Sequence, residues 1–351
     1  MKQPARAGHL VSGSLVVLAL VLIGIGLLPV PFVKMSPGPV YDVLGQGSGG
    51  AFIEVSGAPT YPTNGQLDML TVTERGGPPG PLTLPEAYWG WIDPDQQVIP
   101  REKIYPPDRS DEESEQIGYA QFSQSESNAT AAALRFLSLP VIETATVQGV
   151  LADGPAAGVL RPGDVVLRVD SAPVVDAAQV SQAVKAHSPG SKVVFEIERD
   201  GSRSTAEVIL AADPEHPSQG RAGILVATRY SAEFPIEFRA ADVGGPSAGL
   251  VLALGLVDKL TPESLTGGRT AAVTGTIDAD GRVGAIGGVR EKAVAARNAG
   301  AQTLLIPPDN CSQLADLDLT GLEVIPVVDL REAVAVLRNE AAGGGQLPRC
   351  G

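Results

Sequence analysis

Histidine is nearly absent: His9, His187 and His216 are the only three in 351 residues. The first precedes a long apolar run, the second closes a short helical pattern and the third lies in a connection. A Ser-His-Asp triad therefore has no base near the serine singled out below. No H-E-x-x-H pattern occurs, which removes the zinc-protease plan, and no G-x-x-x-x-G-K-[ST] loop occurs to cradle ATP phosphates. Basic surplus is missing as well. With 26 Lys and Arg against 40 Asp and Glu, the net charge of −14 excludes nucleic acid as a partner, because no broad cationic face is left to neutralise phosphates. Two cysteines, Cys311 and Cys350, are too few for a stapled scaffold, and spacing alone leaves their pairing open. Nothing in the composition calls for a metal or a cofactor.

What is present begins with length and one apolar run. A chain with 44% hydrophobic residues supports two or three domains, each with its own core. Leu10 to Val33 carries no charged side chain. At about 1.5 Å per residue it is long enough for roughly 30 Å of hydrocarbon. Lys2, Arg6 and the amino terminus precede it and Lys34 alone follows closely, so the positive-inside rule expects residues 1–9 in the cytoplasm, a single transmembrane helix over 10–33, and an extracytoplasmic body. A cleaved signal is the alternative, but no A-x-A site follows.

Beyond the run, Ser36 to Pro39 reads as a stiff spacer and Gly76 to Pro81 as a loop. Asp108 to Gln116 reads as a solvated turn and Ser123 to Leu137 as a helix. Short β-rich runs with one helix follow between Val141 and Leu210, including a hairpin about Asp200-Gly201. From Ile224 onward strands and helices alternate, which expects an α/β layer fold.

Two segments carry chemistry. Asp242-Val-Gly-Gly-Pro-Ser-Ala-Gly-Leu250 crowds small residues about Ser247 ahead of an apolar helix. Backbone N–H groups there, Gly244 and Gly245 among them, are placed to meet an oxyanion, although helix capping would account for the same serine. Gly281 to Ala296 sets Lys292 on an alanine-rich helix, where burial would lower its pKa enough for a base. A solvated surface lysine is the ordinary alternative.

Together the segments resemble the proteolytic domain of the Lon family, the Ser-Lys dyad (S16) peptidases. Pro246-Ser-Ala-Gly249 matches that family's nucleophile motif, and Gly281 to Ala296 matches its G-x-V-x-x-I-G-G-x-x-E-K-x-x-A-A block. The resemblance implies Ser247 as nucleophile, Lys292 as general base and Thr274 as the hydroxyl orienting the lysine. Gly244 stands where ATP-dependent members carry an acid, so their gating does not transfer. The stretch DGPAAGVLRPGDVVLRVD, Asp153 to Asp170, resembles a bacterial PDZ domain. Its peptide groove would lie between Val147–Leu151, including Gly149, and the helix bearing Val180 and Val184.

The combined plan resembles the membrane-anchored Lon-like proteases of the YlbL and SepM group. It implies a spacer with first strands over 34–62, a Lon-type domain split into 63–139 and 222–340, a PDZ insertion over 140–215 and a flexible tail over 341–351. The implied activity is ATP-independent serine endopeptidase on extracytoplasmic peptides or proteins, with no cofactor and homo-oligomerisation left open. A proteolytically inactive, membrane-tethered PDZ adaptor is the alternative.

Overall fold

The apolar run is not helical to its end. In the computed structural model, which describes residues 15, 17–21, 24, 26–47, 50–78, 80–107, 109–240, 243–343 and 349–350, Leu15, 17–21, Gly24 and Gly26 are helical. The remainder of 10–26 lies outside the described residues. Pro29–Val30 is already a short strand, and Phe32 and Val33 open the first long one. Pro29 and Pro31 explain the switch, since neither has an N–H to continue a helix. Among the described residues no helix is long and apolar enough to cross a membrane.

The chain divides into two compact units, one of residues 1–54, 59–126 and 237–351, the other of 55–58 and 127–236. The first opens with β1 (Phe32–Asp42), which absorbs the expected spacer: Pro37 lies inside it, where the register with β2 (Gln66–Arg75) shifts between Pro37 and Val40. Such a bulge accommodates the missing donor. Next come α1 (Leu84–Ile92), β3 (Gln97–Pro100) and α2 (Asp111–Phe136), whose residues from 127 on belong to the second unit. Helix α2 corrects the turn expected over 108–116 from Asp111 onward, and Asp108 lies outside the described residues. Ser110 and Glu113 form reciprocal side-chain to backbone bonds of 3.1 and 2.9 Å, and Asp111, Glu112 and Glu113 fill the first turn, complementing the positive helix end.

The second unit is an antiparallel sheet of β4 (Ile142–Val150), β5 (Val165–Val169), β6 (Lys192–Arg199), β7 (Ser202–Ile209) and β8 (Ile224–Ser231), with α3 (Ala177–Lys185) packed on it. Strand order is β7-β6-β5-β4-β8. The β6–β7 hairpin turns at Asp200 and Gly201, both at positive φ (51° and 74°), the geometry that matches strand twist. Phe195, Ile197, Leu160, Val166 and Val180 fill the core. Asp164, buried, takes a bidentate grip from Arg199 at 2.6 and 2.7 Å.

The chain then returns to the first unit with α4 (Gly249–Leu260), β9 (Thr270–Val273), α5 (Val289–Asn298), β10 (Thr303–Ile306), β11 (Glu323–Pro326) and α6 (Leu330–Ala341). Its sheet runs β11-β10-β9-β2-β1-β3. The β9, β10 and β11 strands are parallel, β9 also runs parallel to β2 in register Ala272↔Asp68, and β1 is antiparallel to both neighbours. The first-unit sheet therefore joins segments far apart in sequence. From Gly249 to Val257 helix α4 is apolar on all sides, and every one of those residues is buried. Leu250, Leu252, Leu254 and Leu256 are fully buried, each contributing about 2 kcal/mol. Cys311 and Cys350 form a disulfide, with Cα atoms 5.2 Å apart.

Candidate active site

Three chain segments converge at the carboxyl end of β9. Thr274, the residue after the strand, is held by its N–H to the Leu305 carbonyl at 3.0 Å, and its hydroxyl donates to the Ser247 carbonyl at 3.3 Å. The Gly275 N–H reaches the same carbonyl at 3.0 Å, and the Leu250 N–H reaches the Gly275 carbonyl at 3.1 Å. The backbone of Ser247 is thereby pinned to the β9 end on one side and to α4 on the other. Regular helix begins at Gly249, two residues past Ser247, and no side chain among the described residues caps it. That settles the competing use of the serine, because its hydroxyl is engaged elsewhere. Lys292 Nζ lies 2.6 Å from Ser247 Oγ and 3.3 Å from Thr274 Oγ1.

Lys292 comes from the first turn of α5, which starts at Gly288 in the left-handed region (φ 66°). A Cβ there would stand 2.7 Å from the Val72 side chain, so both conformation and space demand glycine. With Ala293, Ala295 and Ala296 buried beside it, Lys292 is 4% exposed. Burial brings its pKa down from 10.5 to about 8, against the opposing pull of the Glu291 carboxylate. Glu291 is itself buried, and among the described residues neither of its carboxylate oxygens has a hydrogen-bond partner. Burial raises its pKa, which favours the neutral form and weakens its hold on the lysine proton. A hydroxyl, a lysine near neutrality and a bridging threonine can remove a proton from Ser247 and take up the resulting charge.

Not every expected donor is available. The Gly245 N–H, at φ 87°, donates to the Gly118 carbonyl of α2 at 2.9 Å, and Pro246 has no N–H. Gly244 is exposed in the same loop. Ser125 of α2 donates to the Pro246 carbonyl at 3.0 Å. Helix α2 thus clamps the loop before the serine. Sequence reasoning missed both Gly118 and Ser125, since a helix carbonyl leaves no sequence signature and a buried serine among polar neighbours has little. Asp242 lies outside the described residues.

Ser247 and Lys292 line a cleft of ≈ 680 Å³ whose walls include Met35, Met69, Val72, Ile99, Ile104 and Ile286. Its lining is mostly apolar. Among the described residues Glu74 is its one acidic lining residue, and the Tyr105 hydroxyl donates to the Glu74 carboxylate.

In the second unit a groove of ≈ 270 Å³ is lined by Val180 and Val184 of α3 and by Ala222, Ile224, Leu225 and Val226. Val147 and Gly149 do not line it. Val147 is buried in β4, one strand in from the edge, and Gly149 pairs with Leu225. The groove strand is β8, assigned from sequence to the next domain. β8 forms the sheet edge, where an added strand could pair.

Residues 239–340 match the Lon protease (S16) C-terminal proteolytic domain. That segment is similar to the proteolytic domain of the Lon serine peptidases. Residues 117–210 match the PDZ domain family. Similar proteins include Lon protease 1 of Myxococcus xanthus, 42% identical over 28% of this chain and 13% of that protein. Lon protease 1 of Bacillus subtilis is 37% identical over 33% of this chain and 15% of its own length. The chain thus matches well under a fifth of the length of these Lon relatives. Among solved structures, the PDZ domain of the SdrC-like protein of Listeria innocua is 24% identical, covering 24% of this chain and 92% of that chain with a TM-score of 0.22.

Proposed function

We propose that the chain is a membrane-anchored serine endopeptidase that cleaves extracytoplasmic peptides or proteins without ATP, with substrate held by the PDZ unit. The observation that carries the reading is the 2.6 Å approach of the buried Lys292 Nζ to the Ser247 hydroxyl inside a Lon-type domain. Neutral Lys292 takes the Ser247 proton as Oγ attacks a peptide carbonyl. The resulting ammonium returns that proton to the leaving amine, and Lys292, neutral again, activates the water that resolves the acyl-enzyme. Thr274 holds the lysine nitrogen in line.

Two observations support the location. The disulfide between Cys311 and Cys350 suits an oxidising compartment, and the apolar run follows Lys2 and Arg6. The missing phosphate loop in this sequence supports ATP independence. A fluorophosphonate probe should label the wild-type chain and not Ser247→Ala. Absence of serine-dependent labelling would leave a PDZ adaptor as the better reading.

A further inference from the structure

Helix α1 is built inside out. Its small residues face the protein: Ala87 is fully buried, and at Gly90 a Cβ would stand 2.7 Å from the Val98 side chain. Its large ones face away, with Tyr88 56%, Trp89 66% and Trp91 52% exposed and Leu84 and Ile92 exposed beside them. A surface helix ordinarily buries the apolar stripe and shows the polar one. Both tryptophans of the chain lie on this helix.

Its position tells what covers that face. Pro29–Val30 pairs antiparallel with Leu82–Thr83, the two residues before α1. The Phe32 ring meets Trp91 edge-on at 5.4 Å, and Leu27 and Leu28 are exposed next to this junction. The apolar run therefore enters the fold at the start of α1. Tyr and Trp, with apolar rings and a polar handle, favour the boundary between headgroups and hydrocarbon. Lys34, Glu86, Asp93 and Gln96 border a recess beside Trp89 and Ile92, giving a polar rim of mixed sign. Aromatic insertion rather than attraction to anionic headgroups fits that rim.

We infer that α1 lies in the membrane interface, its Tyr88, Trp89, Trp91 and Ile92 face seated among the upper acyl chains of the outer leaflet. The inference rests on the proposed anchoring and adds a second contact to it. β3 follows α1 after four residues and contributes Gln97 and Ile99 to the Ser247 cleft. A seated α1 holds that cleft at a fixed height above the lipid, which favours substrates whose cleavable segment lies close to the membrane.

Tryptophan emission tests it directly, because no other tryptophan contributes. The full chain and its Trp91→Phe form, which reports on Trp89 alone, would be reconstituted into phosphatidylcholine vesicles and separated by flotation. Expected are blue-shifted emission, a loss of about half of the signal when bromine is placed near the top of the acyl chains, and smaller losses with deeper bromine. A chain that floats with the vesicles while its tryptophans stay open to iodide and unquenched by bromine overturns the inference and leaves the anchor intact. A chain that does not float overturns both. A blue shift seen with several copies per vesicle but lost at one copy per nanodisc overturns it in favour of a second copy of the chain on this face.

Discussion

Replacing Lys292 with methionine should make the protein more stable and inactive at once. The folded chain holds this lysine with a pKa of about 8 against an ordinary 10.5. At about 1.4 kcal/mol per pH unit, the charged form costs the fold about 3 kcal/mol. Lys292→Met keeps the volume and removes the charge, and it forfeits two hydrogen bonds, to Ser247 and Thr274, worth about 2 kcal/mol in sum after exchange with water. A net gain of about 1 kcal/mol is expected at pH 7. The sign follows from proton binding. Between pH 8 and 10.5 the unfolded wild-type chain binds more protons than the folded one, so wild-type stability rises with pH across that window. The advantage of the variant should therefore be constant below pH 8 and shrink above it. Parallel urea denaturation of both chains at pH 7 and pH 9.5 reads the difference. A variant that is less stable at pH 7, or whose difference does not change with pH, would refute the burial of a titrating lysine.

Other outcomes follow from the same geometry. Thr274→Val removes the bond to the lysine nitrogen and should lower kcat about 10- to 100-fold with little change in KM, while Thr274→Ser should retain most activity, measured on one peptide substrate. Val184→Glu places a charge in the α3–β8 groove and should abolish peptide binding by the PDZ unit while leaving hydrolysis of a short ester unchanged. Calorimetric titration and an ester assay on the same preparation separate the two.

The approach of Ser247 and Lys292 was legible because each residue sits in a contiguous motif, and the α/β layering was legible because its buried strands, such as Thr303–Ile306, read as apolar runs bounded by turns. The capping box of Ser110 and Glu113 was equally readable, and it was passed over because an acidic stretch resembles a solvated turn. β8 was misassigned for a different reason. Its sequence is that of any half-buried strand, and only pairing with β4 makes it part of the second unit. The Gly118 to Gly245 bond could not be read at all, since it joins two backbones without a side chain. The Pro37 bulge hid β1, because proline in a run argues against a central strand.

The proposed function rests on attack by Ser247 with a neutral Lys292 as its base. The pH dependence of its labelling by a fluorophosphonate tests both halves together. The rate should rise about tenfold per pH unit up to about pH 8 and then level off, with Ser247→Ala unlabelled throughout. A rate flat across that range, or labelling that survives Ser247→Ala, would contradict the account.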